Sequence, residues 1–290
     1  MKRILITGAN SYIGSSFEEW LKKYLDDYSV DTLGTKDEEW RKKDFSGYDA
    51  VFHVAGIAHV DVKKATEETK ELYYKINRDL TTEIAKKAKE EGVRQFIFMS
   101  SIIVYGDSAP IGQKKVITKE TIPIPSNFYG DSKLQAEKGI LPMQSEDFNV
   151  VVLRPPMIYG KGSKGNYQKL AKLAKVCPIF PDVNNERSML HIDNLCEFVR
   201  LMIDNKEKGL FFPQNEEYVK TSGMVELIAE VHGKKIKMTR IFNPVLRVIS
   251  SKIKFINKVF GNLVYDKIIS EYKSHYFMRT IEESIKETER

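Results

Sequence analysis

Short runs of consecutive apolar residues alternate with stretches of helical spacing through the first half of the chain. The runs are "KRILIT", "SVDTLG", "DAVFHV", "RQFIFMS" and "FNVVVLR", and between them Tyr12–Asp27, Ala65–Glu91 and Tyr129–Gln144 carry apolar residues at helical intervals. A strand with one wet face alternates apolar and polar positions; these runs do not, so both of their faces must be covered. Strands separated by helices are joined by crossovers, which make neighbouring strands parallel. The pattern predicts an α/β fold with a doubly wound parallel sheet.

After "RPPMIYG" the alternation loosens into a glycine-rich turn at Gly160–Gly165, an amphipathic helix near Tyr167–Lys175 and the proline-punctuated "VCPIFPDVNN". A helix from Ile192 and the strand "GLFF" rejoin the sheet, and from Gln214 the pattern is mixed and mainly helical. The expected organisation is a sheet domain over residues 1–160 and about 187–213, with a smaller, mainly helical lobe over about 161–186 and 214–290.

Composition changes this picture little. The 290 residues are 42% hydrophobic and 30% charged, ordinary for a globular protein. The apolar run of the N-terminus stops at Ile6 without a cleavage site, and no stretch approaches the roughly 20 apolar residues that span a bilayer, so a cytoplasmic location is expected. Cys177 and Cys196 lack metal-ligand spacing and the five histidines are scattered, which predicts reduced core thiols and no metal site. The net charge of +6 is concentrated, because Gly233–Tyr265 holds eight Lys or Arg and no acid.

The first candidate site is "ILITGANSYIG", a strand, a glycine turn and a helix with the spacing Gly8-x-x-Ser11-x-x-Gly14. Backbone N–H groups at such a helix N-terminus hold a pyrophosphate, as in the Rossmann dinucleotide-binding arrangement. Gly8, Asn10, Ser11, Tyr12, Ile13 and Gly14 are the candidate contacts, and the plain alternative is a tight turn that binds nothing. Ser11 stands where the motif usually has a second glycine; it is small, and its hydroxyl can donate to phosphate. The end of the second strand reads the adenosine ribose, an acid suiting NAD(H) and a cation suiting the 2′-phosphate of NADP(H). Gly34 takes the acid's place, followed by Thr35 and Lys36, which favours NADP(H) over NAD(H). Asp31 takes the acid role instead if the strand register is shifted.

"TGANSYIG", "DAVFHVAG", Asn77 of "INRDLT", "FIFMSSIIVYG", Tyr129-x-x-x-Lys133, "LRPPMIYG" and "RSMLHIDNL" follow one another over residues 1 to 212. In these pieces and their order the chain resembles an extended short-chain dehydrogenase/reductase of the NAD-dependent nucleotide-sugar epimerase/dehydratase family. The resemblance implies that Tyr129 moves a proton on or off a sugar C4 oxygen as hydride moves at the carbon. A free phenol, with a pKa of about 10, is poorly poised for this. A lysine cation and an oxidised nicotinamide are expected to bring it toward neutrality, and the four-residue spacing puts Lys133 on the same helix face. Ser101 matches the serine that hydrogen-bonds the substrate oxygen, with Ser100 the neighbouring alternative and a cofactor contact. Asp44 and Phe45 match the pair flanking the adenine; Val54, Ala55 and Gly56 of "HVAG", with Pro156, match positions along the cofactor. Asn166 and Arg187 match contacts to a substrate diphosphate, although Asn166 reads equally well as a turn residue.

Departures from sister families narrow the reaction. Dehydratases of this kind place Asp-Glu directly after the serine or threonine, decarboxylating members a glutamate and 3,5-epimerase/reductases a cysteine; here Ile102 and Ile103 stand there and move no protons. Reduction of a 4-keto sugar and 4-epimerisation with bound NAD remain, and the missing ribose acid favours reduction. "RPPMIYG", "GNYQKL", "NNERS" and "FGNLVY" are similar to reductases of bacterial capsule and O-antigen assembly, which act on a UDP-4-keto-6-deoxy-N-acetylhexosamine. An NADP-sensing, non-enzymatic binding protein is the remaining class; such proteins commonly lose the tyrosine kept here.

Leu246, Ile249, Ile253, Ile256, Phe260 and Leu263 form a helical stripe, with Arg247, Lys252, Lys254 and Lys258 mostly off it. It is expected to pack into the lobe rather than lie on a membrane, and its few aromatics argue against nucleic acid. Family members often pair through the helices matching Ala65–Glu91 and Tyr129–Gln144, which makes a homodimer a candidate assembly.

Overall fold

A computed structural model of the chain describes residues 1–58, 65–250 and 253–290, and only the backbone of 254 and 255. β1 (Lys2–Thr7) lies between β2 (Tyr28–Leu33) and β3 (Ala50–His53), followed outward from β3 by β4 (Gln95–Met99), Asn149–Leu153 and Gly209–Phe211. Every pairing is parallel. β3 and β4 are buried at every residue, which is why their sequences do not alternate. The chain leaves β1 for β2 on one side and returns to β3 on the other. That reversal opens the loops after β1 and β3 toward each other at the carboxyl end of the sheet, where ligands of such folds bind.

The helices are α1 (Tyr12–Leu21), α2 (Glu67–Tyr74), α3 (Leu80–Glu90) and α4 (Phe128–Ile140). α1 stops short of Asp27: a 3-10 turn, Lys22–Tyr24, leads into a bend where the Asp27 carbonyl accepts from Lys2 N, 2.7 Å away. The stretch Ala65–Glu91 is helical without a break from Glu67 to Glu90, but a π turn at Lys75–Asp79 interrupts the α-helical ladder between α2 and α3 and buries Asn77. α4 gives way at Ile140 to the 3-10 turn Leu141–Met143, whose Pro142 has no N–H with which to continue it. Ile84, Ala85 and Ala88 of α3 and Ala136 and Ile140 of α4 form one core with Trp40, Phe45, Tyr48, Phe96 and Phe98.

By internal contacts the chain forms two units: Met1–Gly106, Pro123–Pro155 and Leu195–Pro213, and then Asp107–Ile122, Pro156–Asn194 and Gln214–Arg290. The division differs from the sequence expectation at three places, since residues 107–122, 156–160 and 187–194 belong to the second unit. Met157–Tyr159 pairs with Met189–His191, so the middle segment of the first unit stops at Pro155 and residues 187–194 belong to the second. Asp107–Ile122 also joins the second unit, where Val116–Ile117 pairs with Val264–Tyr265 and Ala109 bridges Asn262.

In the second unit Asn166–Val176, Thr221–Val231 and Ile281–Glu289 are helices, and its core includes Tyr159, Tyr167, Phe180, Met189, Ile228, Phe260 and Ile285. The basic stripe is not one helix to Leu263 but two, Asn243–Ser250 and Lys254–Phe260. Leu246, Ile256 and Phe260 pack inward as expected, whereas Ile253 at the break is 46% exposed; Lys252 and the Lys254 side chain lie outside the described residues. Neither cysteine is in a disulfide; Cys196 is buried, but Cys177 is half-exposed rather than a core residue. Among the described residues no helix is long and apolar enough to cross a membrane, and no three metal-ligating side chains cluster.

Candidate active site

Where β1 ends, Gly8 adopts φ +103° and Asn10 φ 62°. A Cβ on Gly8 would sit 2.7 Å from Ala55 N, so the close approach of the β1 and β3 loops requires glycine. Ser11 caps α1 by accepting from Gly14 N at 3.2 Å, and Gly8 N and Ala9 N donate to Leu33 O. Gly8, Ala9, Ser11 and Gly14 thus spend their N–H groups inside the loop, and phosphate oxygens would meet the first turn of α1 at Ile13. Ser11 keeps its O–H to donate. This backbone cradle at the start of a ten-residue helix fits a dinucleotide pyrophosphate.

Thr7 pairs with Leu33, so β2 delivers Gly34, Thr35 and Lys36 to the adjoining edge in the expected register. A Cβ on Gly34 would touch nothing within 4 Å, and Lys36 is exposed with no ion pair among the described residues. Asp31 does not take the acid role: it lies mid-strand opposite Leu5, where its carboxylate accepts from Tyr48 OH and lies 3.7 Å from Arg3 Nη2. Phe45, expected beside the adenine, is wholly enclosed in the sheet core. Its partner Asp44 stays at the surface, holding Ser46 N and Oγ at 2.7 and 2.9 Å. Val54 N donates to Thr7 O at 3.0 Å, Ala55 is buried and Gly56 exposed, whereas Pro156 is buried at the start of the second unit.

α4 carries the chemistry, and its first turn is set by Asn127, whose Oδ1 accepts from Gly130 N at 3.0 Å. A Cβ on Gly130 would come within 2.8 Å of Ile103 O, so only glycine lets α4 press this closely on the turn after β4. That approach brings Tyr129 into hydrogen-bonding contact with Ser101. Ser100, one residue back, faces the other way and donates to Glu137, so its hydroxyl is not at the cofactor. Burial and the nearby Tyr73 push the Tyr129 phenol up to about 12, against the pull of Ser101. The protein's own groups therefore raise this pKa, and the lowering expected of Lys133 together with an oxidised nicotinamide is not among their effects.

Lys133 is buried, donates to Met99 O at 2.9 Å and lies 4.7 Å over the Phe98 ring. Burial lowers it to about 8, with Glu137 acting in the opposite direction. A Cβ on Gly56 would lie 3.1 Å from its ammonium, so the β3 loop leaves that nitrogen room. One turn further on, Glu137 is held by Arg154 at 3.0 and 3.2 Å through Nε and 2.5 Å through Nη2, and Arg154 Nη1 donates to Tyr105 OH at 2.6 Å. These three residues were not singled out from the sequence; the repeat Tyr129, Lys133, Glu137 on one helix face is the signal that marks the carboxylate. Asn77 in the π turn accepts from Ile57 N at 2.9 Å and donates to Ile57 O and Ser132 Oγ, both at 3.1 Å. His53 turns inward between Thr7 and Thr81, 2.7 and 3.0 Å away, and burial lowers it to about 3.

Ile102 and Ile103 begin the turn after Ser101, so the positions of a dehydratase acid and base are apolar. Asp131, the nearest acid along α4, accepts from Tyr74 OH and Gln135, 2.7 and 2.6 Å away.

In the second unit Arg187 extends its guanidinium toward the carbonyls of Gly261 and Asn257, 3.3 and 3.5 Å away, and has no carboxylate partner among the described residues. Burial lowers it to about 10. Asn166, at the first turn of its helix, lines the same cleft together with Lys169 and Lys258. The rest of the lining is mostly apolar, with Met157, Leu170, Leu173, Met189, Val219 and Met224, and among the described residues no carboxylate lines the cleft.

The profile of the NAD dependent epimerase/dehydratase family matches residues 4–213, the span that holds the glycine loop, Ser101, Tyr129 and Lys133. The chain belongs to this family. It is 30% identical over 250 residues to a UDP-glucose 4-epimerase of Vibrio cholerae, covering 79% of this chain and 75% of that one. It is 26% identical over 250 residues to the N-acetyl-alpha-D-glucosaminyl-diphospho-ditrans,octacis-undecaprenol 4-epimerase of Escherichia coli O157:H7, covering 79% and 71%. In fold it is similar to a dTDP-4-dehydrorhamnose reductase of Clostridium acetobutylicum, with a TM-score of 0.73 and 22% identity over 99% and 98% of the two chains. Epimerase/dehydratase family membership makes the chain an enzyme of the extended short-chain dehydrogenase/reductase class. Solved structures of similar fold are complexed with NADPH in one case and NAD in another, so the fold does not choose the cofactor.

Proposed function

We propose that the enzyme reduces the 4-keto group of a UDP-4-keto-6-deoxy-N-acetylhexosamine, with NADPH as donor, to the UDP-6-deoxy-N-acetylhexosamine. The observation that carries this is the cofactor edge, where a Cβ on Gly34 would meet nothing within 4 Å and Lys36 is exposed with no ion pair among the described residues, while two isoleucines stand where a dehydratase acid and base would. When bound, the dinucleotide supplies the hydride. Ser101 donates to the C4 oxygen and orients it, and Tyr129 delivers the proton as charge builds there. The Lys133 ammonium offsets the phenolate left behind. The open space beside Gly34 and the exposed Lys36, with no ion pair among the described residues, support NADPH. Arg187 would take the diphosphate, since a planar guanidinium bonds two oxygens at once.

Epimerisation is the second reading, favoured by the 30% identity to a UDP-glucose 4-epimerase. One assay separates the two. A reductase given a UDP-4-keto sugar consumes one NADPH per sugar, whereas an epimerase interconverts UDP-hexoses with no net change in cofactor. Catalytic interconversion of UDP-hexoses without added NADPH would overturn the proposal, and a purely sensing protein would do neither.

A further inference from the structure

The helix Asn243–Ser250 carries more apolar surface than the core of its unit covers. At about 100° per residue, Val248, Val245, Ile249 and Leu246 fall on one broad arc, which Ile241 and Phe242 continue just ahead of the helix. One edge of the arc is used: Leu246 packs on the core and Ser250 is buried. The other edge faces solvent, with Ile241 81%, Val245 58%, Val248 69% and Phe242 46% exposed. None of these four belongs to the stripe from Leu246 to Leu263. Single exposed apolar side chains are ordinary, but four within eight residues form a patch that calls for an occupant.

The charge around the patch has one sign. Gly233–Tyr265 contains eight Lys or Arg and no acid, and Lys234, Lys235, Lys237, Arg240 and Arg247 are all exposed. Among the described residues one carboxylate reaches this segment from another element, Asp182, which Arg240 and Lys220 hold at 3.0 and 2.5 Å. A second copy meeting this face by a two-fold axis would set one cationic surface against its twin, at a cost in repulsion. Nucleic acid would meet three aliphatic side chains and one aromatic ring, Phe242, rather than a series of stacking platforms. An anionic bilayer accepts both features together, apolar side chains at the acyl boundary and cations among the headgroups.

We propose that Asn243–Ser250, with Ile241 and Phe242, docks the enzyme reversibly on the surface of an anionic membrane. The proposal is independent of the reaction assigned above. The test is co-sedimentation of the full chain with vesicles of phosphatidylglycerol and phosphatidylcholine in equal parts, against vesicles of phosphatidylcholine alone. Binding is expected to the first, at least tenfold weaker to the second, and weakened by salt. Ile241→Asp and Val245→Asp are each expected to lower affinity for the mixed vesicles about tenfold, the scale of one inserted aliphatic side chain. Both positions are exposed, so circular dichroism and melting temperature should stay as in the parent. Arg247→Glu should reduce binding to the mixed vesicles only. No co-sedimentation at low salt, or equal binding to both vesicles, overturns the proposal. So does a dimer in analytical ultracentrifugation that Val245→Asp dissociates.

Discussion

At the scale of single residues, the site divides one proton problem between two side chains shifted by the same cause. Burial favours the neutral form of each, raising Tyr129 to about 12 and lowering Lys133 to about 8. Tyr129→Phe removes the proton donor and keeps the ring, so kcat is expected to fall by about 10²–10⁴ with little change in cofactor affinity, measured by NADPH oxidation and by fluorescence titration. Near-parent turnover would remove the phenol from the mechanism. Lys133 is charged below about pH 8, so activity that depends on its ammonium should be full below that pH and decline as pH rises through it. Its stability effect runs the other way. The unfolded chain holds this proton up to the ordinary 10.5 while the folded chain releases it near 8, so the group's contribution to stability rises with pH between those values. Lys133→Met, which removes the buried charge, should therefore gain about 1–3 kcal/mol at pH 7 in urea unfolding while losing activity. A variant less stable than the parent would mean that the Met99 hydrogen bond outweighs the desolvation.

At the scale of elements, α4 is a platform whose two working turns are fixed from opposite ends. Gly130 lets its start touch the turn after β4, and Glu137 ties its middle to Arg154 on the adjoining strand segment. With Arg154 and Ser100 occupying the carboxylate, Glu137 is kept from capturing Lys133, whose ammonium stays with a neutral carbonyl. Arg154→Met leaves a buried carboxylate without its cation and should cost about 3–5 kcal/mol, whereas Glu137→Leu combined with Arg154→Met should recover much of that loss. A double variant no more stable than Arg154→Met, measured by urea denaturation, would show that the pair does more than neutralise itself. The sequence made α4, Tyr129 and Lys133 legible because helical spacing and a local motif coincide there. It did not disclose Glu137–Arg154, whose partners are seventeen residues apart on different elements. The π turn at Lys75–Asp79 was likewise hidden, because one extra residue in a helical turn hardly changes apolar periodicity, though it buries Asn77.

At the scale of the molecule, what local pattern conveyed was the parallel sheet and its switch point, since consecutive apolar runs and crossovers determine both. It missed the allocation of Asp107–Ile122, because a two-residue strand pairing with Val264–Tyr265 leaves no periodic trace. The cofactor edge lies between these cases. Its register was legible, but whether Gly34 leaves open space depends on what surrounds it, and nothing does within 4 Å of a Cβ there. A ligand that binds only the native state stabilises it by RT ln(1 + [L]/Kd), about 2.7 kcal/mol at a hundredfold excess over Kd. For a chain of this size that is a rise of roughly 5 °C in melting temperature. NADPH should produce such a shift at a concentration where NADH produces little. Gly34→Asp should reverse the order, because its carboxylate would accept from ribose hydroxyls and repel a 2′-phosphate. Lys36→Ala should weaken NADPH alone, by about the 0.3–1 kcal/mol of one exposed charge contact. A parent enzyme stabilised more by NADH would reverse the cofactor assignment, and with it the strongest ground for preferring reduction to an epimerase that retains NAD.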